Sequence, residues 1–128
     1  MIKILLIEDS KMLRIAGTRA LTRAGYEVVA AEDGEQALRF AREKPPDLIV
    51  LDMMLPKVTG LDVLRALKSD PLTQGAPVIV LSGLSGANRE KLINEGAAAF
   101  LEKSENLLAN DSAELVDAVK GVLTSAAK

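Results

Sequence analysis

The sequence predicts a doubly wound α/β domain built on a five-stranded parallel sheet, and three observations carry that expectation. Short apolar runs recur at Lys3–Ile7, Tyr26–Ala31, Leu48–Leu51, Val78–Leu81 and Ala97–Leu101, with helically spaced apolar positions between them. The middle run is four consecutive branched aliphatics without alternation, the pattern of a strand covered on both faces. Nearly every run then ends in a polar residue, as strands do at the carboxyl edge of an open sheet. Five strand-then-helix units joined by right-handed crossovers place helices on both faces.

Taken in order, the first strand ends in Glu8-Asp9, and Ser10 or Asp9 is the candidate cap of a helix running to about Ala24. Its apolar members Leu13, Ala16, Ala20, Leu21 and Ala24 fall at helical spacing, and Gly25 is placed to end it. Lys11, Arg14, Arg19 and Arg23 on this helix read as a solvated face or as a docking surface for an acidic partner. After the second strand, Asp33-Gly34 leads into a helix over about 35–43 with Ala37, Leu38 and Ala41 as its buried stripe, stopped by Pro45-Pro46. The central strand delivers Asp52, and a loop with Pro56 leads to Gly60 and a helix carrying Leu61, Val63, Leu64 and Leu67. The fourth strand ends in Ser82-Gly83. The helix after it, over about 86–95, has only Ala87, Leu92 and Ile93 as core candidates and is expected to be the most weakly anchored. The fifth strand ends in Glu102-Lys103. A last helix starts near Asp111, where Asp111 and Glu114 have capping-box spacing, and presents Leu115, Val119, Val122 and Leu123 to the core. Between Lys103 and Asp111 only Leu107-Leu108 suggests a helical turn.

Composition narrows the chemistry. The 128 residues fit one domain spanning 1–128. The start at Met1 lacks the layout of a signal peptide, and no apolar run is long enough to cross a bilayer, so a cytoplasmic protein without membrane insertion is expected. There is no cysteine and no histidine, which excludes disulfides, thiolate sites, Ser/His or Cys/His nucleophilic pairs and most zinc chemistry. A net charge of -2 and three aromatic residues, Tyr26, Phe40 and Phe100, argue against direct nucleic-acid binding.

In a parallel sheet the strand ends share one edge, so Glu8-Asp9, Asp52, Ser82 and Lys103 meet although far apart in sequence. Three carboxylates in one place repel one another, and a divalent cation offsets that repulsion. Magnesium suits oxygen ligands of this kind and commonly shares them with a phosphate oxygen. With a lysine and a hydroxyl beside the acids, phosphate is the expected anion, and the available covalent nucleophile is the Asp52 carboxylate itself.

Glu8-Asp9, Asp52 with Pro56 and Gly60 after it, Ser82-Gly83 and Phe100-Leu101-Glu102-Lys103 together resemble the receiver domain of two-component response regulators, over essentially the whole chain. The resemblance implies a flavodoxin-like (βα)5 sheet in the order 2-1-3-4-5 and a single-domain regulator, similar to the chemotaxis regulators, with no output domain. It implies that Asp52 accepts a phosphoryl group from a sensor histidine kinase or phosphotransfer protein. Asp9 and Asp52 would ligate Mg2+, with Glu8 acting through water and Met54 through its backbone carbonyl. Lys103 would pair with the phosphoryl oxygens, Ser82 would close onto them, and Phe100 would turn inward as Ser82 moves. The output would run by protein contact with a downstream target, through the face formed by the fourth helix, fifth strand and fifth helix, in a monomer or a phosphorylation-dependent dimer. No separate substrate turnover is expected.

Two features depart from the family pattern. Ser104 follows Lys103 where the family usually has a proline in a cis peptide, and the segment to Asn110 is longer than typical. Met54 and Leu84, apolar at positions that resemble sites tuning phosphoryl loss, predict slow self-dephosphorylation. A nucleotide or flavin binder would want a phosphate loop after the first strand, where Glu8-Asp9-Ser10-Lys11 is acidic instead. A phosphatase would want a substrate-specificity domain that a chain of this length has no room for. A receiver that has lost phosphorylation is at odds with the complete acidic set, while a module of a larger regulator or hybrid kinase stays open.

Overall fold

The computed structural model describes residues 1–53, 59–82, 89–102 and 113–126. Strands β1 (Lys3–Ile7), β2 (Glu27–Ala31), β3 (Leu48–Asp52), β4 (Val78–Ser82) and β5 (Ala99–Glu102) form one sheet in the order β2-β1-β3-β4-β5, and every pair is parallel. Helices α1 (Lys11–Arg23), α2 (Gly34–Glu43), α3 (Gly60–Ser69), α4 (Arg89–Asn94) and α5 (Ala113–Ala126) alternate with them. This is the doubly wound, flavodoxin-like order expected from the sequence.

Strand pleating sorts the core into two halves. Leu5, Ile7, Ile49, Leu51, Val78 and Val80 face α2, α3 and α4, meeting Ala37, Ala41, Val63, Leu64, Leu67 and Leu92. Ile4, Leu6, Leu48, Val50, Ile79 and Leu81 face the other way, against Leu21 of α1 and Leu115 and Val119 of α5. β3 and β4 are buried along their whole length, which is why their sequences show no alternation.

Local capping sets where the helices begin. The Ser10 hydroxyl accepts from the Leu13 amide at 3.4 Å, the Asp33 carboxylate from Gln36 at 2.8 Å, and the Thr59 hydroxyl from Asp62 at 3.2 Å. Each such cap contributes about 1 kcal/mol. Ser10, rather than Asp9, therefore caps α1 and leaves the Asp9 carboxylate for other work.

Several boundaries and burials differ from the sequence expectation. Ile93 is 40% exposed, so Leu92 is the buried anchor of the six-residue α4. β5 begins at Ala99, two residues later than expected, and Ala97 is buried ahead of it. In α5, Leu115 and Val119 are fully buried, whereas Val122 and Leu123 are only partly so. The expectations for Met54, Leu84, Ala87, Lys103, the segment to Asn110 and the Asp111 cap fall outside the described residues. Among the described residues no helix is long and apolar enough to cross a membrane.

α3 ties the loops of its face together. Arg65 makes a two-pronged ion pair with Glu95, just beyond α4, at 3.0 and 2.9 Å. Lys68 donates to the carbonyls of Gln74 and Ala76 at 3.2 and 2.9 Å, and burial pushes its pKa down. The Lys68 stem lies against Gly96, whose φ of +111° is strained for any other residue.

Candidate functional site

β1 and β3 lie side by side at the centre of the sheet, with Ile7 paired to Leu51. Their next residues, Glu8 just past β1 and Asp52 as the last residue of β3, therefore stand side by side at the carboxyl edge. With Asp9 they bring a carboxylate oxygen from each residue within 4.8 Å of one another. Glu8 and Asp52 have no exposed surface, whereas Asp9 is exposed. Two fully buried acids beside a third carry a large electrostatic cost unless a cation joins them. The donor set consists of oxygen alone, which fits magnesium or another hard ion and not a soft one.

Backbone contacts hold Glu8 and the end of β3 in place. The Glu8 amide donates to the Ala31 carbonyl at 3.0 Å, and the Glu8 carboxylate accepts from the Ser10 amide at 3.0 Å. The Met53 amide donates to the Leu81 carbonyl at 2.9 Å, holding the residue after Asp52 against β4.

Ser82, 3% exposed, ends β4, and Asp52 stands opposite Leu81 in the register, so the hydroxyl-bearing residue is one step from the acid. Phe100 is paired with Val80, and both pack on the α2, α3 and α4 side. By the period-two pleat Ser82 points to that same side, so the two residues proposed to move together share one face of the sheet. Lys103, directly after β5, and Met54 lie outside the described residues.

Two further residues shape the site, and neither is legible as such in the sequence. Arg14 turns back from α1 and donates to the carbonyl of Glu8 at 3.0 Å and that of Asp9 at 3.3 Å. As one of four basic residues on its helix, it carries no sequence mark that separates it from Lys11 or Arg19. Gly60 opens α3 directly beneath the backbone of Met53. A Cβ there would lie 2.5 Å from the Met53 Cα and 2.9 Å from its carbonyl oxygen, so only glycine lets α3 start this close to Asp52.

The chain is similar to known proteins in both sequence and fold. The family model for the response regulator receiver domain matches residues 4–120. BvgA of Bordetella pertussis is 38% identical over 125 residues, which cover 94% of this chain and 56% of that protein, so the chain spans just over half of its length. The crystallised chemotaxis protein CheY4 of Vibrio cholerae superposes with a TM-score of 0.85 at 28% identity, covering 95% of this chain and 98% of that one. The response regulator TrrA of Thermotoga maritima, crystallised with Mg(2+)-BeF, gives a TM-score of 0.81 at 30% identity over 95% of this chain and 99% of that one. On the match across nearly its whole length, the strand order and the acidic cluster at the carboxyl edge, the chain belongs to the response regulator receiver domains of two-component signalling.

Proposed function

We propose that the chain is a phosphorylation-activated switch whose phosphoacceptor is Asp52. The observation that carries this reading is the meeting of Glu8, Asp9 and Asp52 within 4.8 Å at the carboxyl edge of the central strands. A carboxylate oxygen of Asp52 attacks the phosphorus of a phosphohistidine on a sensor kinase or phosphotransfer protein. The P–N bond breaks, and the imidazole nitrogen leaves with the electron pair and takes up a proton. The product is an acyl phosphate on Asp52.

Asp9 and Asp52 are the proposed Mg2+ ligands, with Glu8 acting through water and Met54 through its carbonyl. The ion supplies positive charge against the phosphoryl oxygens. That TrrA crystallised with Mg(2+)-BeF supports the same ion here. Lys103 is the proposed partner of the phosphoryl oxygens, and Ser82 the hydroxyl that closes onto them. The phosphoryl group brings about -1.5 to -2 charges to the end of β3. That charge draws Ser82 inward and makes room for Phe100 on the shared face of the sheet. The output passes by protein contact across α4, β5 and α5, in the cytoplasm, without separate substrate turnover.

A single-domain regulator is the first reading of the chain. The second, a receiver module within a longer regulator, is favoured by BvgA, of which the chain spans only 56%.

The test is incubation with a small phosphodonor and magnesium, followed by intact-mass measurement. Wild type should gain one phosphoryl mass and Asp52→Asn none at a comparable rate. An unlabelled wild type would count against the proposal, and equal labelling of both proteins would move the site elsewhere.

A further inference from the structure

At the amino edge of the sheet, away from the acidic cluster, a cavity of about 210 Å³ opens between β1, β2 and the end of α2. Its floor is the cross-strand pair Leu5 and Val29, adjacent in the register. Phe40, near the end of α2, and Pro46, buried just before β3, wall it. Leu5, Val29 and Phe40 belong to the same half of the core, so the chamber is an unfilled extension of that half. Its cause is local. Ala41 is the last buried residue of α2, and a methyl group does not reach across to the strands where the helix ends.

Charge surrounds the mouth without favouring either sign. Lys3 and Lys44 stand there, and so do Glu43 and the Asp47 carboxylate, which accepts from the Lys3 amide at 2.8 Å. Glu43, Lys44 and Asp47 are exposed, so water and salt screen what field remains. A charged ligand head placed at this mouth meets like charge together with opposite charge, and it gives up hydration without a net return. An uncharged ligand loses nothing of that kind and gains the apolar chamber. The aromatic wall favours a ring. An apolar cavity of roughly 150 Å³ accommodates benzene, so the larger space here suits one ring with a short substituent.

We propose that this cavity is a binding site for a small uncharged aromatic molecule, its ring between Leu5, Val29, Phe40 and Pro46 and any polar substituent turned to the wet mouth. The site is independent of the phosphoacceptor: it uses none of Glu8, Asp9, Asp52 or Ser82.

Benzyl alcohol is the probe, with benzylamine and benzoate as charged molecules of nearly the same size. Titrated into the isotopically labelled full chain and followed by amide chemical shifts, benzyl alcohol should shift resonances around Lys3–Leu5, Val29 and Phe40–Asp47 saturably. A ligand of this size should bind with Kd on the order of a millimolar. Benzylamine and benzoate should each bind more weakly, by about fivefold, and by similar factors for the two signs. Val29→Phe, checked for an intact spectrum, should fill the chamber and abolish the benzyl alcohol shifts. The comparison of the three ligands needs only wild type, so it decides the matter if Val29→Phe fails to fold. Either ion binding as tightly as the alcohol, shifts that rise without saturating or centre elsewhere, or unchanged binding in a folded Val29→Phe would overturn the proposal.

Discussion

Gly60 is the residue whose replacement should be felt most directly at Asp52. In Gly60→Ala the new methyl meets backbone rather than a flexible side chain, so α3 or the Met53 peptide has to move. The ordinary gain of alanine over glycine in a helix, about 1 kcal/mol, is outweighed by overpacking of about 1–3 kcal/mol. The expected result is a lower urea midpoint together with slower labelling of Asp52 by a phosphodonor; unchanged values for both would show that the approach of α3 to Met53 is not constraining. Arg14 acts from the other side. Its guanidinium holds two carbonyls of the Glu8-Asp9 turn, so Arg14→Leu removes hydrogen bonds worth about 1 kcal/mol each. We expect weaker Mg2+ binding by about tenfold, consistent with the effect of removing a group that orients metal ligands, readable by calorimetry on the unphosphorylated protein. Sequence reasoning identified the carboxylates because chemistry demands them at strand ends. It could not identify Arg14 or Gly60 in these roles, since one depends on which way a long side chain turns and the other on which backbone lies across from it.

At the level of elements, Arg65 and Glu95 form an ion pair that links α3 to the turn after α4. The side-chain hydrogen bond from Arg65 holds the Glu95 carboxyl below its usual range. A carboxylate with a depressed pKa in the folded state gives stability that is present above its unfolded pKa, about 4.3, and is lost as pH falls through the lower folded value. Denaturant midpoints of wild type and Glu95→Gln should therefore differ at neutral pH and converge in acid. The difference should be small and should shrink in high salt, because both groups are exposed to water. A gap that persists in acid would assign the effect to packing instead. The sequence anticipated a weakly anchored fourth helix from its scarcity of apolar residues, and the structure narrows that anchoring to Leu92. Ile93 is a core candidate in the sequence only because it is one of the few apolar residues of this helix, and one helical step of about 100° from Leu92 turns it to solvent.

For the whole molecule, strand order was legible from sequence because five strand-then-helix units and a switch-point ligand edge admit few topologies. The exact strand ends were less so, since β5 is bounded by pairing with β4 rather than by its own composition. Crowding three acids at one end of the sheet also makes a global prediction. Without divalent cations, Asp52→Asn should raise the melting temperature, because it removes one of two fully buried charges from a repelling cluster. Adding Mg2+ should stabilise wild type by mass action and narrow or reverse that difference. A mutant that melts below wild type without the ion would mean that Asp52 is held by contacts stronger than the repulsion. The wide sequence spacing of the cluster has a kinetic consequence as well. Glu8 and Asp9 follow β1 and Asp52 ends β3, so no local segment of the chain contains the acidic cluster, and it exists only once the non-local pairing of β1 with β3 has formed. A chain in which β1 and β3 have not yet paired has no assembled acidic cluster, so the affinity of this cluster for a divalent cation is expected to report on that pairing.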